Sequence, residues 1–373
     1  MEKTAYQKRL TTLRQRLKKI SPQSCDTAWI IQPENRRYLS GYQAEDTHLT
    51  ESAGSLLINE ARSLLITDSR YTLQAEKEAV DFEVKTLNQD LIEKFPTSVH
   101  QMGTRILGFE EDYITWELHR KITEKLKVLS PHIDLIPLNS VVEDMREVKD
   151  EDEIKALKNA ADLISEVMDE IIANLKPGMT EKDVAWDIEG LTRDAGAEGV
   201  SFQPIVASGP NSALPHAVPT DRKLKENEPL ILDMGAKLNG YCSDMTRTIF
   251  LGKPDPDFMT IYRTVRQAQL AALKEVRPLV ESTHLDAAAR EVINEAGFGK
   301  YFGHGLGHGV GLAVHELPRV GPRTSVKLKK GVVFTIEPGI YMPGKGGVRL
   351  EEMVLIDDNG PKILTENNHF YDF

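Results

Sequence analysis

The sequence predicts two successive domains, an α/β domain followed by an α+β domain. Its 373 residues are enough for two hydrophobic cores of ordinary size. Short apolar runs alternate with helical patterns over the first third of the chain, whereas longer amphipathic helices and a β-hairpin signal occupy the rest. We place the boundary near residue 145, which divides the chain into domains 1–145 and 146–373.

The elements of the first domain follow one another as strands and helices. Leu10, Leu13, Leu17 and Ile20 recur at helical spacing and predict a first amphipathic helix. Strands are predicted in TAWIIQ, AGSLLINEARSLLITD and FEVKTL, and a helix in SRYTLQAEKEA. The segment GTRILGFEEDYITWELHRKITEKL predicts a strand and then a helix, and IDLIPLN a last strand. This alternation predicts a small doubly wound α/β unit that ends near Ser140.

The second domain begins with a charged stretch that leads into a long amphipathic helix, with an apolar face formed by Ile154, Leu157, Ala161 and Ile164. Thr180, followed by Asp183 three residues later, predicts the cap of a second helix. Two more helices are predicted in DPDFMTIYRTVRQAQLAALKEVRP and THLDAAAREVINEAG, and strands in GVVFTIEP and GGVRLEEMVLID. Helices that flank a mostly antiparallel sheet make an α+β domain.

Composition argues against several classes of partner. The net charge of −11 at pH 7 is opposite to the basic face that nucleic acids require. No apolar run reaches the ~18 residues of a membrane span, and the basic N-terminus lacks the apolar segment of a signal peptide. The chain has only two cysteines, which fits a reducing compartment. We therefore expect a cytoplasmic protein without a nucleic-acid or membrane partner.

A β-hairpin is predicted in LILDMGAKLNGYCSDMTRTIFLG, residues 230–252, because Asn-Gly lies between two apolar, β-branched runs. With Asn239 and Gly240 in the turn, Asp233 faces Thr246, and Asp244 faces Gly235, where a missing side chain leaves space. The two aspartates are then diagonal neighbours on one face, roughly 7–8 Å apart. Like charges so close favour either a bound divalent cation between them or exposure of both to solvent. The hairpin alone leaves both interpretations open.

Three histidines occur in YFGHGLGHGVGLAVHELPRVG, residues 301–321, where every second residue from 303 to 311 is glycine. Such glycines allow the backbone to approach a ligand closely. The segment lacks the spacing of a dinucleotide fingerprint, of a phosphate loop and of the H-E-x-x-H zinc motif. His304, His308 and His315 are each either structural residues or ligands.

Two acidic positions lie in later strands. Glu337 ends the strand in FTIEPG, and Glu351 and Glu352 lie within GGVRLEEMVLI. Alternation places Arg349 and Glu351 on one side of that strand and Glu352 on the other, where we expect it to face outward. Spacing does not choose between the two glutamates as functional groups.

Four segments, in this order, resemble the aminopeptidase P and prolidase branch of the pita-bread metallopeptidases: LDMGAKLNGYCSDMTRT, HGLGHGVGLAVHE, TIEPGIY and GGVRLEE. The resemblance spans residues 150–373 and implies a curved, mostly antiparallel sheet flanked by helices. The first domain, with LLITDSRYTLQA, resembles the non-catalytic N-terminal domain of that branch. Methionine aminopeptidases share the second half and normally lack such a domain, so the resemblance favours the proline-directed branch.

The resemblance implies two divalent metal ions, manganese, cobalt or zinc with manganese favoured, bridged by a water and by carboxylates. It selects Glu351 over Glu352 and implies five ligands: Asp233, Asp244, His308, Glu337 and Glu351. It also implies that a bridging hydroxide attacks the scissile carbonyl and that Glu337 takes up and delivers the proton. His216, in a loop rich in Pro, Gly and Asn, and His315 would stabilise the tetrahedral intermediate.

The implied substrates are peptides with proline at the second position. We favour an Xaa-Pro aminopeptidase, with an Xaa-Pro dipeptidase (prolidase) as the alternative, and we expect a homodimer. His304 and Arg349 are predicted to contact substrate. Alternatively, Arg349 neutralises Glu351 or Glu352, and the two roles do not exclude each other. The remoter alternatives on the same fold are a metal-free creatinase-like hydrolase and a non-catalytic binding protein. The complete set of ligand residue types argues against both.

Overall fold

A computed structural model of the chain describes residues 4–20, 23–44, 52–87, 91–130, 132–367 and 369–371. The chain divides into two compact units, Met1–Met145 and Arg146–Phe373. Each unit has a hydrophobic core of its own, and each is described separately. Among the described helices, none combines the length and apolar composition that a membrane crossing requires.

The first unit is built around a mixed six-stranded sheet. Its strands are β1 (Thr27–Ile30), β2 (Ser55–Asn59), β3 (Ser63–Thr67), β4 (Glu83–Thr86), β5 (Ile106–Phe109) and β6 (Asp134–Pro137). They lie in the order β4-β3-β2-β1-β5-β6, and only the β1–β2 and β2–β3 pairs are antiparallel among those described. Its helices are α1 (Ala5–Leu17), α2 (Pro33–Ser40), α3 (Thr72–Glu78), α4 (Leu91–Gln101) and α5 (Trp116–Leu129). A short helix, α6 (Glu143–Arg146), ends at the first residue of the second unit.

These elements confirm the predicted α/β class and correct two details. The first helix ends before Ile20, because the Leu17 carbonyl accepts from the Cys25 N–H at 3.0 Å and the chain turns away. Helices α2 and α4 were not predicted. For α2 a signal was present, since Pro33 opens the helix and Gly41 ends it with φ +79°.

Four long helices support the second unit: α7 (Glu151–Asn174), α8 (Glu181–Asp194), α9 (Pro256–Glu275) and α10 (Ser282–Glu295). The predicted cap of α8 is confirmed, since Thr180 Oγ1 accepts from the Asp183 N–H at 3.1 Å and Asp183 accepts from the Thr180 N–H. The apolar face predicted for α7 is buried at Leu157, Ala161 and Ile164, while Ile154 is half-buried.

The strands of the second unit are short, and every described pair is antiparallel. In chain order they are β7 (Gly199–Val200), β8 (Ile205–Ser208), β9 (Pro229–Met234), β10 (Ala236–Leu238), β11 (Tyr241–Cys242), β12 (Met245–Phe250), β13 (Gly307–Gly309), β14 (Glu316–Val320), β15 (Val333–Ile336), β16 (Gly339–Met342), β17 (Gly346–Arg349), β18 (Glu352–Asp357) and β19 (Gly360–Ile363). Within the described residues they form the sheets β11-β10-β7, β12-β9-β8, β14-β13-β15-β18-β19 and β16-β17.

Helices cover these sheets with several apolar clusters, of which two are the largest. Side chains of α7 and α8, such as Ile164 and Ile188, pack on β9 and β12. Side chains of α9 and α10, such as Val265 and Ile293, pack on β15 and β18. This arrangement confirms the predicted α+β class.

The predicted hairpin register is confirmed. Leu238 pairs with Tyr241 and Asp233 with Thr246, and both turn residues have positive φ, +49° at Asn239 and +77° at Gly240. The expected open space at Gly235 is wrong, because a Cβ there would lie 1.9 Å from the Ser243 carbonyl oxygen. Glycine is therefore required for a close backbone approach, at the point where the hairpin passes from one sheet to the next.

Candidate metal centre

The five predicted ligands all lie at the end of a strand or at a break in one. They are Asp233 near the end of β9, Asp244 just before β12, His308 in β13, Glu337 just after β15 and Glu351 between β17 and β18. Strand ends allow neighbouring side chains to converge, because the backbone there is released from the strict alternation of the ladder. The strand predicted for residues 346–357 is in fact two strands, and the Glu351 N–H between them bonds the Thr246 carbonyl at 3.1 Å.

Three of these side chains converge, and a fourth, Glu337, lies beside His308. Single ligand atoms of Asp244, His308 and Glu351 all lie within 4.8 Å of one another. His308 Nε2 is also 3.6 Å from Asp244 Oδ2 and 3.5 Å from Glu337 Oε1. The structure therefore places carboxylate oxygens of Asp244, Glu337 and Glu351 around the Nε2 atom of His308.

Asp233 borders the same group. Its Oδ2 accepts from Arg349 Nη2 at 2.5 Å, and its charge contributes to raising the pKa values of Asp244 and Glu351. Its Oδ1 is buried and has no hydrogen-bond partner among the described residues. A buried carboxylate oxygen without a partner is destabilising by about 1–3 kcal/mol or more, so this atom is suited to bind a cation.

The protein alone does not stabilise the ionised carboxylates. Burial raises the pKa of Asp244 and of Glu337 well above the ordinary range, and the charge of Glu351 raises both further. Burial together with the Asp233 charge raises the pKa of Glu351 to about 8. Divalent cations between the carboxylates would reverse these shifts, since an adjacent positive charge favours the ionised form.

His308 is prepared as a neutral ligand. Burial lowers its pKa to about 4, so the imidazole is uncharged at neutral pH. Its Nδ1 lies 3.1 Å from the Gly309 carbonyl oxygen, which only accepts, so Nδ1 carries the proton. The lone pair of Nε2 then points toward Asp244 and Glu337, which is the tautomer that metal binding through Nε2 requires.

Two threonine hydroxyls orient the carboxylates, and neither residue was anticipated from the sequence. Thr246 Oγ1 donates to Glu351 Oε2 at 2.7 Å, and Thr335 Oγ1 lies 3.3 Å from Glu337 Oε1. Thr335 Oγ1 also accepts from the His308 N–H at 3.1 Å. A signal was present in the register, since Thr246 pairs with Asp233. Supporting groups of this kind hold ligands in the orientation that a metal needs.

The donor set fits a divalent cation. Manganese, cobalt and zinc accept carboxylate and neutral imidazole ligands, and both kinds of ligand are present here. One of the carboxylate oxygens, Asp233 Oδ1, is buried without a hydrogen-bond partner among the described residues. Asp244, His308 and Glu351 lie close enough together to hold a metal ion, and Glu337 and Asp233 border them.

The other three histidines predicted at the site lie beside this centre. The His315 ring is 4.3 Å from the His308 ring, and His304 Nε2 is 3.1 Å from Tyr341 Oη. Burial and then the charge of His216 lower the pKa of His315, and burial lowers that of His304 to about 4. His216 and His315 are exposed, whereas His304 is half-buried.

Arg349 is buried and bonded to protein on every nitrogen. Its Nε donates to Thr246 Oγ1 at 3.1 Å, and its Nη1 donates to Tyr341 Oη at 2.9 Å. Its Nη2 pairs with Asp233, and its charge also acts to lower the pKa of Glu351, whereas Glu352 pairs with Arg247. Tyr341, which links Arg349 to His304, was missed from the sequence because only the assembled site gives it a polar role.

The expectation that Glu352 faces outward is wrong. Its side chain is 2% exposed and pairs with Arg247 at 2.9 Å, while Thr365 donates to its second oxygen. Arg247 is completely buried and also donates to the Glu351 carbonyl at 2.6 Å. A countercharge from β12 therefore allows Glu352 to point into the protein, on the side of the strand away from the metal ligands.

Replacing Arg247 by methionine is expected to lower the free energy of unfolding by about 3–5 kcal/mol, because Glu352 is left as a buried, unpaired charge. Urea unfolding of the metal-loaded chain measures the change. The double variant Arg247→Met with Glu352→Leu should recover most of the loss. A single variant as stable as the parent would show that the pair contributes little.

The chain matches two protein-family models. The model of metallopeptidase family M24 matches residues 155–358, and that of the creatinase/prolidase N-terminal domain matches residues 9–148. The uncharacterized peptidase YqhT of Bacillus subtilis is 36% identical over 342 residues, which cover 92% of this chain and 94% of that protein.

Solved structures agree in fold. The Xaa-Pro dipeptidase from Bacillus anthracis is 34% identical with a TM-score of 0.91, covering 97% of this chain and 98% of its own. The X-Pro aminopeptidase from Thermotoga maritima is 37% identical with a TM-score of 0.83, covering 92% and 96%. The prolidase from Pyrococcus horikoshii is 33% identical with a TM-score of 0.88, covering 97% and 99%. These matches confirm the pita-bread fold predicted from the sequence, and the chain belongs to metallopeptidase family M24, with a creatinase/prolidase N-terminal domain.

Proposed function

We propose that the protein is an Xaa-Pro aminopeptidase, which removes the first residue of peptides that carry proline at the second position. Two divalent cations, with manganese favoured, would be held by the five ligands defined above. The observation that carries the proposal is the convergence of buried carboxylates on the neutral His308 in a chain of this metallopeptidase family. Its proline-directed relatives support the substrate class.

The site residues divide the work of hydrolysis. When bound, the paired cations would lower the pKa of a water toward neutrality and polarise the scissile carbonyl. Glu337, which Thr335 orients, would accept the proton of the attacking water and deliver it to the leaving prolyl nitrogen. His216 and His315, which are exposed beside the ligands, would donate hydrogen bonds to the oxyanion of the tetrahedral intermediate.

Proline selection has a simple physical basis. A prolyl amide has no N–H and a fixed φ, so a site shaped for it offers no acceptor at that position. His304 and Arg349 would both contact the substrate. The Arg349 guanidinium lies between Asp233 and Tyr341, to which it donates hydrogen bonds. An ordinary amide in the same position would bury an N–H without a partner.

A dipeptidase is the second candidate, and the names of two relatives favour it, the Xaa-Pro dipeptidase from Bacillus anthracis and the prolidase from Pyrococcus horikoshii. The two candidates differ in whether the site accepts chain beyond the proline. A homodimer in the cytoplasm belongs to the same proposal, and light scattering on the purified chain tests the dimer.

The substrate class is tested with an Xaa-Pro dipeptide, an Xaa-Pro-Xaa tripeptide and the matched Xaa-Ala peptides, with manganese, cobalt or zinc added. We expect cleavage of the first bond of the tripeptide, at least about a hundredfold faster than for Xaa-Ala, with manganese the best metal and no activity after chelation.

Each other outcome changes one part of the proposal. Cleavage of the dipeptide alone would establish the dipeptidase. Preference for Met-Ala peptides would contradict the proline-directed assignment, and full activity in excess chelator would contradict the metal mechanism.

A further inference from the structure

The loop that carries His315 has no regular secondary structure. Residues 311–315 are a series of bends between β13 and β14, and the ladder shifts register at His308 and Gly309. The His315 ring nevertheless lies 4.3 Å from the His308 ring. Because no backbone ladder holds this loop, tertiary contacts must determine where His315 points.

The next residue, Glu316, supplies such a contact. Its side chain is 5% exposed, whereas His315 is exposed, as expected for neighbours at the start of a strand. Glu316 Oε1 accepts from the Ala313 N–H at 2.9 Å. The loop also wraps closely around the carboxylate, since a Cβ at Gly311 would lie 2.4 Å from Glu316 Oε2. The loop is therefore folded around the Glu316 carboxylate.

Two buried cations hold that carboxylate in place. Arg146 pairs with Oε1 and Lys149 Nζ lies 3.3 Å from Oε2, and the two cationic side chains are 4% and 1% exposed. Burial acts to raise the pKa of Glu316, but the two cations outweigh it and the pKa is lowered. The chain segment that carries Arg146 and Lys149 is itself held in place, because the Lys149 N–H donates to the Gly331 carbonyl at 2.9 Å.

We propose that Glu316, held by Arg146 and Lys149, is a positioning residue that orients His315 toward the reacting carbonyl. Buried ionic clusters contribute little net stability compared with apolar packing, so their clearest physical effect here is to select one loop conformation. The inference rests on the proposed function of His315 and deepens it. It also explains why a loop rich in glycine can present a side chain at a defined place.

The test compares Glu316→Gln with the parent chain, both loaded with manganese. We expect kcat for the Xaa-Pro tripeptide to fall about 10- to 100-fold, as for a displaced catalytic group, with KM changed by less than about threefold. Metal content should not change. Amide exchange of residues 311–316 should become about tenfold faster, because the Ala313 N–H loses a charged acceptor, while exchange in β15 stays the same.

Glu110→Gln is the matched control, since Glu110 is a buried carboxylate of the first unit that accepts from the Ile31 and Gln32 N–H groups. It should leave kcat and exchange of the loop unchanged. If Glu316→Gln does not fold, Lys149→Met replaces it in the test. We then expect a smaller decrease in kcat and a smaller increase in the amide exchange of residues 311–316.

A double-variant cycle separates positioning from a general structural role. In a His315→Ala background, Glu316→Gln should reduce kcat by less than about twofold, because a residue that acts through His315 has nothing left to orient. Multiplicative effects of the two substitutions would overturn the proposal. Unchanged amide exchange of residues 311–316 in Glu316→Gln would also overturn the proposal. This measurement does not depend on activity, so it tests the role of Glu316 even in a parent chain that does not hydrolyse Xaa-Pro peptides.

Discussion

Asp244→Asn is expected to abolish hydrolysis and to weaken metal binding by more than about a hundredfold, the upper range for groups that merely support a ligand. The side chain keeps its shape, so the substitution removes only the negative charge and one oxygen that can ligate a metal. Asp244 is one of the three residues with ligand atoms within 4.8 Å of one another, and its carboxylate also faces His308. Metal content after dialysis and the rate of Xaa-Pro cleavage measure the two effects.

The same substitution should stabilise the metal-free chain. Burial and the charges of Glu351, Asp233 and Glu337 all raise the pKa of Asp244, so its ionised form is unfavourable without a cation. Relief of about 1 kcal/mol would raise the melting temperature by roughly 2–4 °C. Loss of activity with a lower melting temperature in chelator would contradict this electrostatic account.

Glu352→Gln is the matched control for Asp244→Asn. It removes a buried carboxylate from the neighbouring strand, but one that pairs with Arg247 rather than with the metal ligands. We expect this variant to retain its metal and to lose stability, the opposite of both effects at Asp244. Equal loss of metal in the two variants would mean that the two carboxylates are not functionally distinct.

Removal of the metal is expected to make stability strongly dependent on pH. In the folded, metal-free chain the pKa of Glu351 is raised from 4.5 to about 8, mainly by burial. Between these values the folded state binds a proton that the unfolded state has released, so the free energy of unfolding falls as pH rises. The contribution is fully present below pH 4.5 and is lost by about pH 8. Its size is on the order of a few kcal/mol and is shared with the neighbouring carboxylates of Asp244 and Glu337, whose charges interact with that of Glu351.

Melting temperatures in excess chelator and in manganese, measured from pH 5 to 8.5, test this expectation. The melting temperature in manganese should exceed that in chelator by more as the pH rises. Burial disfavours the ionised carboxylates, and bound cations favour them. The Asp244→Asn variant should show a shallower chelator curve. Parallel curves over this range would mean that the carboxylates ionise without help from a metal.

The sequence alone determined the features that depend on a few neighbouring residues. Asn239-Gly240 sets the hairpin turn and with it the pairing of Asp233 with Thr246. Thr180 and Asp183 set the start of α8. Such preferences act over one turn of chain and do not need the rest of the molecule. Together with the four ordered motifs, they were enough to predict the fold class and a set of candidate ligands.

Only the tertiary structure decided which charges meet. Glu352 points inward because Arg247, 105 positions away, supplies its countercharge. Arg349 forms its ion pair with Asp233, 116 positions away, although Glu351 follows Leu350 in the same segment. The link from Glu316 to Arg146 spans 170 positions. The physical reason is that charge pairing depends on distance and burial in the assembled sheets, and strand periodicity gives the side of a strand on which a residue lies but not what lies opposite it.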